Sequence, residues 1–98
     1  MDAMENTAMP KRFDSLGDTI NEMMSPDYRV RLVAEYHQTK IRYEKLKKFC
    51  NRIEAAMITG QKEPNHDCPM SMLREQKQVM GDYLHLLEIR AEIENIEL

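Results

Sequence analysis

"LVAEYHQTKIRYEKLKKFCNRIEAAM", residues 32–57, decides the fold. Leu32, Tyr36, Thr39, Tyr43, Leu46, Cys50, Ile53 and Met57 recur at alternating spacings of four and three. A helix gathers such positions on one face, and this period belongs to helices that pack along their length. Val33 and Phe49 widen the stripe. Upstream, Ser25-Pro26-Asp27 reads as a helix start: Ser offers an oxygen to the open amides, Pro fits the first turn, and Asp suits the positive end of the dipole. Downstream, Gly60 is a stop. A helix of roughly 30 residues is a rod of about 45–50 Å. So small a chain cannot cover that length as a compact bundle; the rod bends, or other subunits cover its ends.

Outward from the rod, Gln61 to Cys68 (QKEPNHDC) is a loop broken by Pro64 and Asn65. A second long helix is predicted from near Pro69 or Ser71 almost to the C-terminus. Its stripe is Leu73, Gln76, Met80, Tyr83, Leu87 and Ile93, broadened by Leu84, Leu86 and Ile89. On the other side, Phe13, Leu16, Ile20, Met23 and Met24 predict a short amphipathic helix between Pro10 and Met24. Gly17 weakens it by about 1 kcal/mol relative to Ala. Residues 1–9 are polar and read as a frayed end. The expected fold is all-α: an N-terminal extension with a short helix (1–25), then a long antiparallel helical hairpin (26–98), assembled as an oligomer.

Composition agrees with that class. Few Gly and Pro, no Trp, and 32% charged against 42% hydrophobic residues suit narrow helical stripes better than a thick sheet core. At 98 residues a two-helix element is marginal alone, which makes oligomerisation the default expectation. Cys50 and Cys68 form no CxxC pair, so a reducing compartment is expected. No apolar run is long enough to span a membrane, and no signal-peptide block opens the chain. A cytoplasmic protein is expected.

The sharper chemical readings are weak. Cys50, His66 and Cys68 lack the tight ligand pairs of a zinc site; a small core Cys and a polar His66-Asp67-Cys68 turn account for them. There is no phosphate loop, no recognisable Ser-His-Asp arrangement and no HExxH. Glu92 and Glu94 read as solvated. Neither catalysis nor a metal or other cofactor is expected. The methionines read as gap fillers on packing faces.

One signal stands out. Net charge is −3 overall, yet residues 28–48 carry +5 and hold three of the four tyrosines, leaving −8 elsewhere. Focused positive charge in an acidic chain points to a local anion site rather than to coating of long nucleic acid. Arg offers phosphate a planar fork, Lys a point charge, and a Tyr face can stack on a nucleobase. Tyr28 lies in the first turn, where open amides also attract anions. Arg31 follows one turn later, and Arg42 and Lys45 share a face. Tyr36 and Tyr43 fall on the apolar stripe as core rings with wet hydroxyls, and Lys47 and Lys48 read as a solvated face.

The ordered set Pro26, Arg31-Leu32-Val33, Glu35, Lys45-Leu46, Phe49, then Leu73, Gln76, Met80, Tyr83, Leu87 and Arg90 resembles the phage anti-CBASS sponges. These small helical proteins bind cyclic oligonucleotide messengers and hide them from bacterial immune effectors. The resemblance covers about three-quarters of the chain. It implies a hexamer that holds a cyclic di- or trinucleotide between protomers, uncleaved, in the cytoplasm of the host bacterium. It implies Tyr28 and Arg42 as dinucleotide contacts, with Arg where the family carries Lys, and Arg90 as a trinucleotide contact. The short members have no counterpart of the first 25 residues, and Thr39 stands where they usually carry Leu. The expected ligand set is Tyr28, Arg31, Arg42, Lys45 and Arg90. The rivals are a helical adaptor or structural phage protein that uses the stripes to pair with partner helices, and a binder of RNA or DNA along the basic strip.

Overall fold

The computed structural model describes residues 11–98. The frayed end expected over residues 1–9, and Pro10 at the expected start of the first helix, lie outside the described residues. Those described are all-helical, with no strand among them. A 3-10 turn (Leu16–Thr19) leads into a four-residue helix α1 (Ile20–Met23); α2 (Tyr28–Thr59) and α3 (Met70–Glu94) follow. The N-terminal helical segment is therefore real but shorter than the sequence pattern implied. Leu16, Ile20 and Met24, three of its five apolar positions, stay exposed.

Local chemistry sets each boundary. Asp27 caps α2, its carboxylate accepting from the Arg29 amide at 2.9 Å. Ser25 does not cap; its Oγ accepts the Asp27 amide at 3.1 Å and shapes the preceding turn. Gly60 closes α2 in a left-handed conformation (φ 71°), and the Gln61 amide reaches back to the Ala56 carbonyl at 2.9 Å. Asn95 ends α3 in the same way at φ 56°, with the Ile96 amide on the Ala91 carbonyl at 2.9 Å. In the 3-10 turn, the Asp18 carboxylate accepts the amides of Asp14 and Ser15 at 2.9 and 3.0 Å, which hold it below the usual carboxylate range.

The pairs joining α2 to α3 run in opposite senses: Tyr28 meets Glu94, Tyr36 meets Glu88, and Tyr43 meets Gly81. Residue numbers rise along α2 as they fall along α3, so the helices lie antiparallel. Leu32, Tyr36, Leu84 and Leu87 form the central cluster, with Tyr43 and Ile96 packed against it. On α2 the buried line follows the expected register through Ile53, then shifts from Met57, which is 54% exposed, to Ala56. On α3 the expectation is corrected. The inward line is Leu73, Lys77, Met80, Leu84, Leu87 and Ala91, whereas Gln76, Tyr83 and Ile93 are exposed. Ala91 and the aliphatic stem of Lys77 fill inward positions that a search for large apolar residues passes over.

The N-terminal segment lies along α2. Phe13 stacks on His37 at 4.5 Å, Lys11 grips Glu22 through both carboxylate oxygens at 2.8 and 2.9 Å, and Thr19 is buried with its hydroxyl on the Leu16 carbonyl at 2.7 Å. Ala34, fully buried outside the α2 stripe, gives α2 a second inward side.

Candidate functional site

The basic and aromatic residues fall into two separate places. The first lies where the start of α2 meets the end of α3. There the Tyr28 hydroxyl donates to one oxygen of Glu94 at 2.8 Å, and Arg90 Nε–H donates to the other at 2.6 Å. The Arg90 guanidinium also lies 5.8 Å from the Tyr28 ring centre. Arg29 adds bonds to the carbonyls of Glu94 and Asn95 at 2.7 and 3.2 Å, where a cation suits the negative end of α3. Bonds from Arg90 and then Tyr28 hold the Glu94 carboxyl below its usual range, and Glu94 raises Arg90 in return. Glu94 is thus an organising group rather than the solvated carboxylate its position suggested.

The second place is a groove of about 360 Å³ walled by α1, α2 and α3. Arg42, Gln38, Thr39 and Glu35 line it from α2, and Gln76, Val79, Met80 and Tyr83 from α3. Met23 closes it on the α1 side. The Tyr83 hydroxyl donates to Glu35, and that bond, followed by burial, pushes the phenol pKa up. A cation, two amides, a tyrosine and apolar side chains therefore share one concave surface. Such a set can pair with phosphate, satisfy polar base edges and hold the face of a ring.

Of the five expected ligand residues, Tyr28 and Arg90 come together, and Arg42 lies in the groove. Lys45 is exposed beyond it, one turn from Arg42. Arg31 turns away to the Ser25 carbonyl at 2.7 Å and fixes the turn before α2. Tyr28 and Arg42 are fourteen residues apart on one helix, about 21 Å along its axis. One chain does not bring both to one small ligand. Tyr36 is the core ring it was expected to be: its hydroxyl donates to Glu88 at 2.6 Å, and burial followed by that partner pushes its pKa up to about 12.

Gln38, Gln76, Tyr83 and Glu35 were not read as site residues. The signal was present in the α3 register: with the inward line starting at Leu73, Gln76, Tyr83 and Arg90 fall seven residues apart along one flank. Two further grooves are distinct from this one. One of about 730 Å³ at the end of α3 carries Glu88, Glu92 and Glu97. The other, of about 450 Å³, lies under the N-terminal segment beside Phe13 and His37.

Local contacts hold the loop cluster together. His66 bonds the Cys68 carbonyl at 2.7 Å and Glu63 at 3.1 Å and meets Phe49 edge-on, while Cys50 is buried and Cys68 exposed. Among the described residues no group of three or more His, Cys, Asp or Glu side chains could hold a metal ion. Nor is any described helix long and apolar enough to cross a membrane.

A family profile described as Sequestin matches residues 26–93. Searches of curated proteins and of solved structures gave no significant match.

Proposed function

The chain belongs to the Sequestin family, and on that premise we propose that it captures cyclic di- or trinucleotide immune messengers and withholds them, unaltered, from CBASS-type anti-phage effectors. The family's name itself implies sequestration rather than catalysis. The narrower claim about the ligand rests chiefly on the Arg42 groove, which gathers phosphate-binding, base-bonding and ring-holding side chains on one surface. Arg42 would take a phosphate, with Lys45 adding long-range attraction from outside. The amides of Gln38 and Gln76 can each donate and accept at a base edge. Glu35, already bonded to Tyr83, favours a purine edge that donates.

Tyr28 and Arg90 form a second contact set. Because about 21 Å separates Tyr28 from Arg42, a ligand touching both would lie between neighbouring chains. A homo-oligomer, taken here as a hexamer in the cytoplasm of the host bacterium, provides that arrangement. Arg31 has the weakest claim, since its guanidinium serves the turn at Ser25.

The test is calorimetric titration of the full chain with a panel of cyclic di- and trinucleotides. Saturable heat with at least one member, at a stoichiometry below one ligand per chain, supports the reading. Absence of heat with every member would sink it. Binding only to long RNA or DNA, fading steeply as salt rises, would favour the basic-strip rival.

A further inference from the structure

We propose that Thr39 is a ligand-bonding residue: its hydroxyl is held open in the Arg42 groove for the polar edge of a nucleobase, whose ring face rests on Met23. The inference deepens the proposed function and rests on it. Thr39 occupies an inward position on α2 and is only 5% exposed, yet it lines the groove. A threonine in a helical turn ordinarily points its hydroxyl back to a carbonyl three or four residues earlier. Thr19 does so to Leu16 at 2.7 Å, and Thr59 to Ala55 at 2.8 Å. Among the described residues, the Thr39 hydroxyl makes no such bond and has no other partner.

A buried hydroxyl without a partner costs free energy, and valine would fill the same space without that cost. Such a group has a reason to persist where a ligand supplies the missing bond. The neighbouring side chains set what that ligand group is. Arg42 lies one turn farther along α2, a spacing that leaves about 5–6 Å between Cβ atoms. That distance is comparable to the span from phosphate to base within one nucleotide. A phosphate on Arg42 therefore brings a base over Thr39. The hydroxyl can donate to a ring carbonyl or ring nitrogen, or accept from an amino group.

The ring face finds its partner on a third element. Met23 borders the groove on the α1 side, and a thioether packs favourably against an aromatic ring. The N-terminal segment fixes Met23 in place. Lys11 grips the adjacent Glu22 through both carboxylate oxygens, Phe13 stacks on His37 at 4.5 Å, and Thr19 is buried. The segment before α2 is thus a strap that gives the groove its third wall. Thr39, Arg42 and Met23 come together within one chain.

The experiment has a ligand-free arm and a binding arm, both on the full chain. Without ligand, Thr39→Val should melt at or above the wild-type temperature, since it removes an unpaired buried hydroxyl. A clear fall in melting temperature would make the hydroxyl structural and overturn the inference, whatever the chain binds. In the binding arm, wild type and variants are titrated calorimetrically with cyclic dinucleotides carrying each pairing of bases. For the tightest of these, Thr39→Val should weaken binding about tenfold, as one bond is lost and a base atom is left unpaired. Thr39→Ser, which restores the hydroxyl, should recover most of that loss. Met23→Ala should weaken binding about threefold or more. Wild-type affinity in Thr39→Val overturns the role of Thr39 and leaves the proposed function standing. Wild-type affinity in Met23→Ala overturns the role of the strap. Absence of binding by wild type removes the proposed function and this inference together.

Discussion

Arg42 and Tyr36 lie less than two turns apart on one helix and do different things. Tyr36 is buried against Leu32, Leu84 and Leu87, whereas Arg42 is exposed at the rim of a groove. Arg42→Ala should therefore cost cyclic-nucleotide affinity about ten- to a hundredfold, the loss of a charge-assisted bond, with an unchanged melting temperature. Equal losses of affinity and stability would make Arg42 a packing residue. This division was partly legible from sequence, since the stripe marked Tyr36 and Tyr43 as core and left Arg42 outside. The roles of Arg31 and Glu94 were not. Both depend on backbone carbonyls and side chains that meet only once the turn and the far end of α3 are in place.

His37 provides a second prediction at this scale. Burial, and then the neighbouring Lys40, lower its pKa below the ordinary 6.5, and its ring stacks on Phe13 and meets Tyr36 edge-on. Its contribution to stability is fully present above pH 6.5. As pH falls through 6.5 the unfolded chain takes up the proton first, and stability drops until the folded ring also titrates. His66 has the opposite sign, because the Cys68 carbonyl and then Glu63 raise its pKa. The comparison must therefore be with His37→Phe, which keeps an aromatic ring beside Phe13. Thermal melts at pH 7.5 and 5.5 should show a smaller acid loss in His37→Phe than in wild type. Identical losses would contradict the assignment.

The two long helices differ in how openly the sequence declares them. The stripe on α2 names its inward positions from Leu32 to Ile53, and its Asp27 and Gly60 ends are explicit. α3 hides its register because Lys77 and Ala91 occupy inward positions while Val79, Leu86 and Ile93 point outward. Ranking residues by hydrophobicity therefore assigns the wrong line to the hairpin. Gly81 was another concealed feature. A Cβ there would lie at contact distance, 3.4 Å, from the Tyr43 ring, so any side chain longer than a methyl group meets that ring. Gly81→Leu gains about 1 kcal/mol of helix propensity but must push Tyr43 aside. Overpacking of this kind costs about 1–3 kcal/mol, so the variant should melt earlier in a denaturation scan. A melting point at or above wild type would show that the helices have room there.

The described residues measure 61 × 26 × 21 Å, a thin rod whose two-helix core leaves apolar side chains on several sides. That shape was foreseeable from the length of the stripe set against the length of the chain. What the sequence could not place was the separation of Tyr28–Arg90 from the Arg42 groove, because distance between two points on a helix acquires meaning only beside a ligand and a neighbour. On the proposed function the chain would be one wall of a pocket that neighbouring copies complete. The central claim is that such an enclosure holds a cyclic nucleotide without altering it. Its most direct test is to saturate the protein with a cyclic di- or trinucleotide that binds, remove the excess, denature by heat and weigh the released ligand by mass spectrometry. The starting mass is expected in near-stoichiometric yield after prolonged incubation. A linear or cleaved product, or no released nucleotide at all, would contradict it.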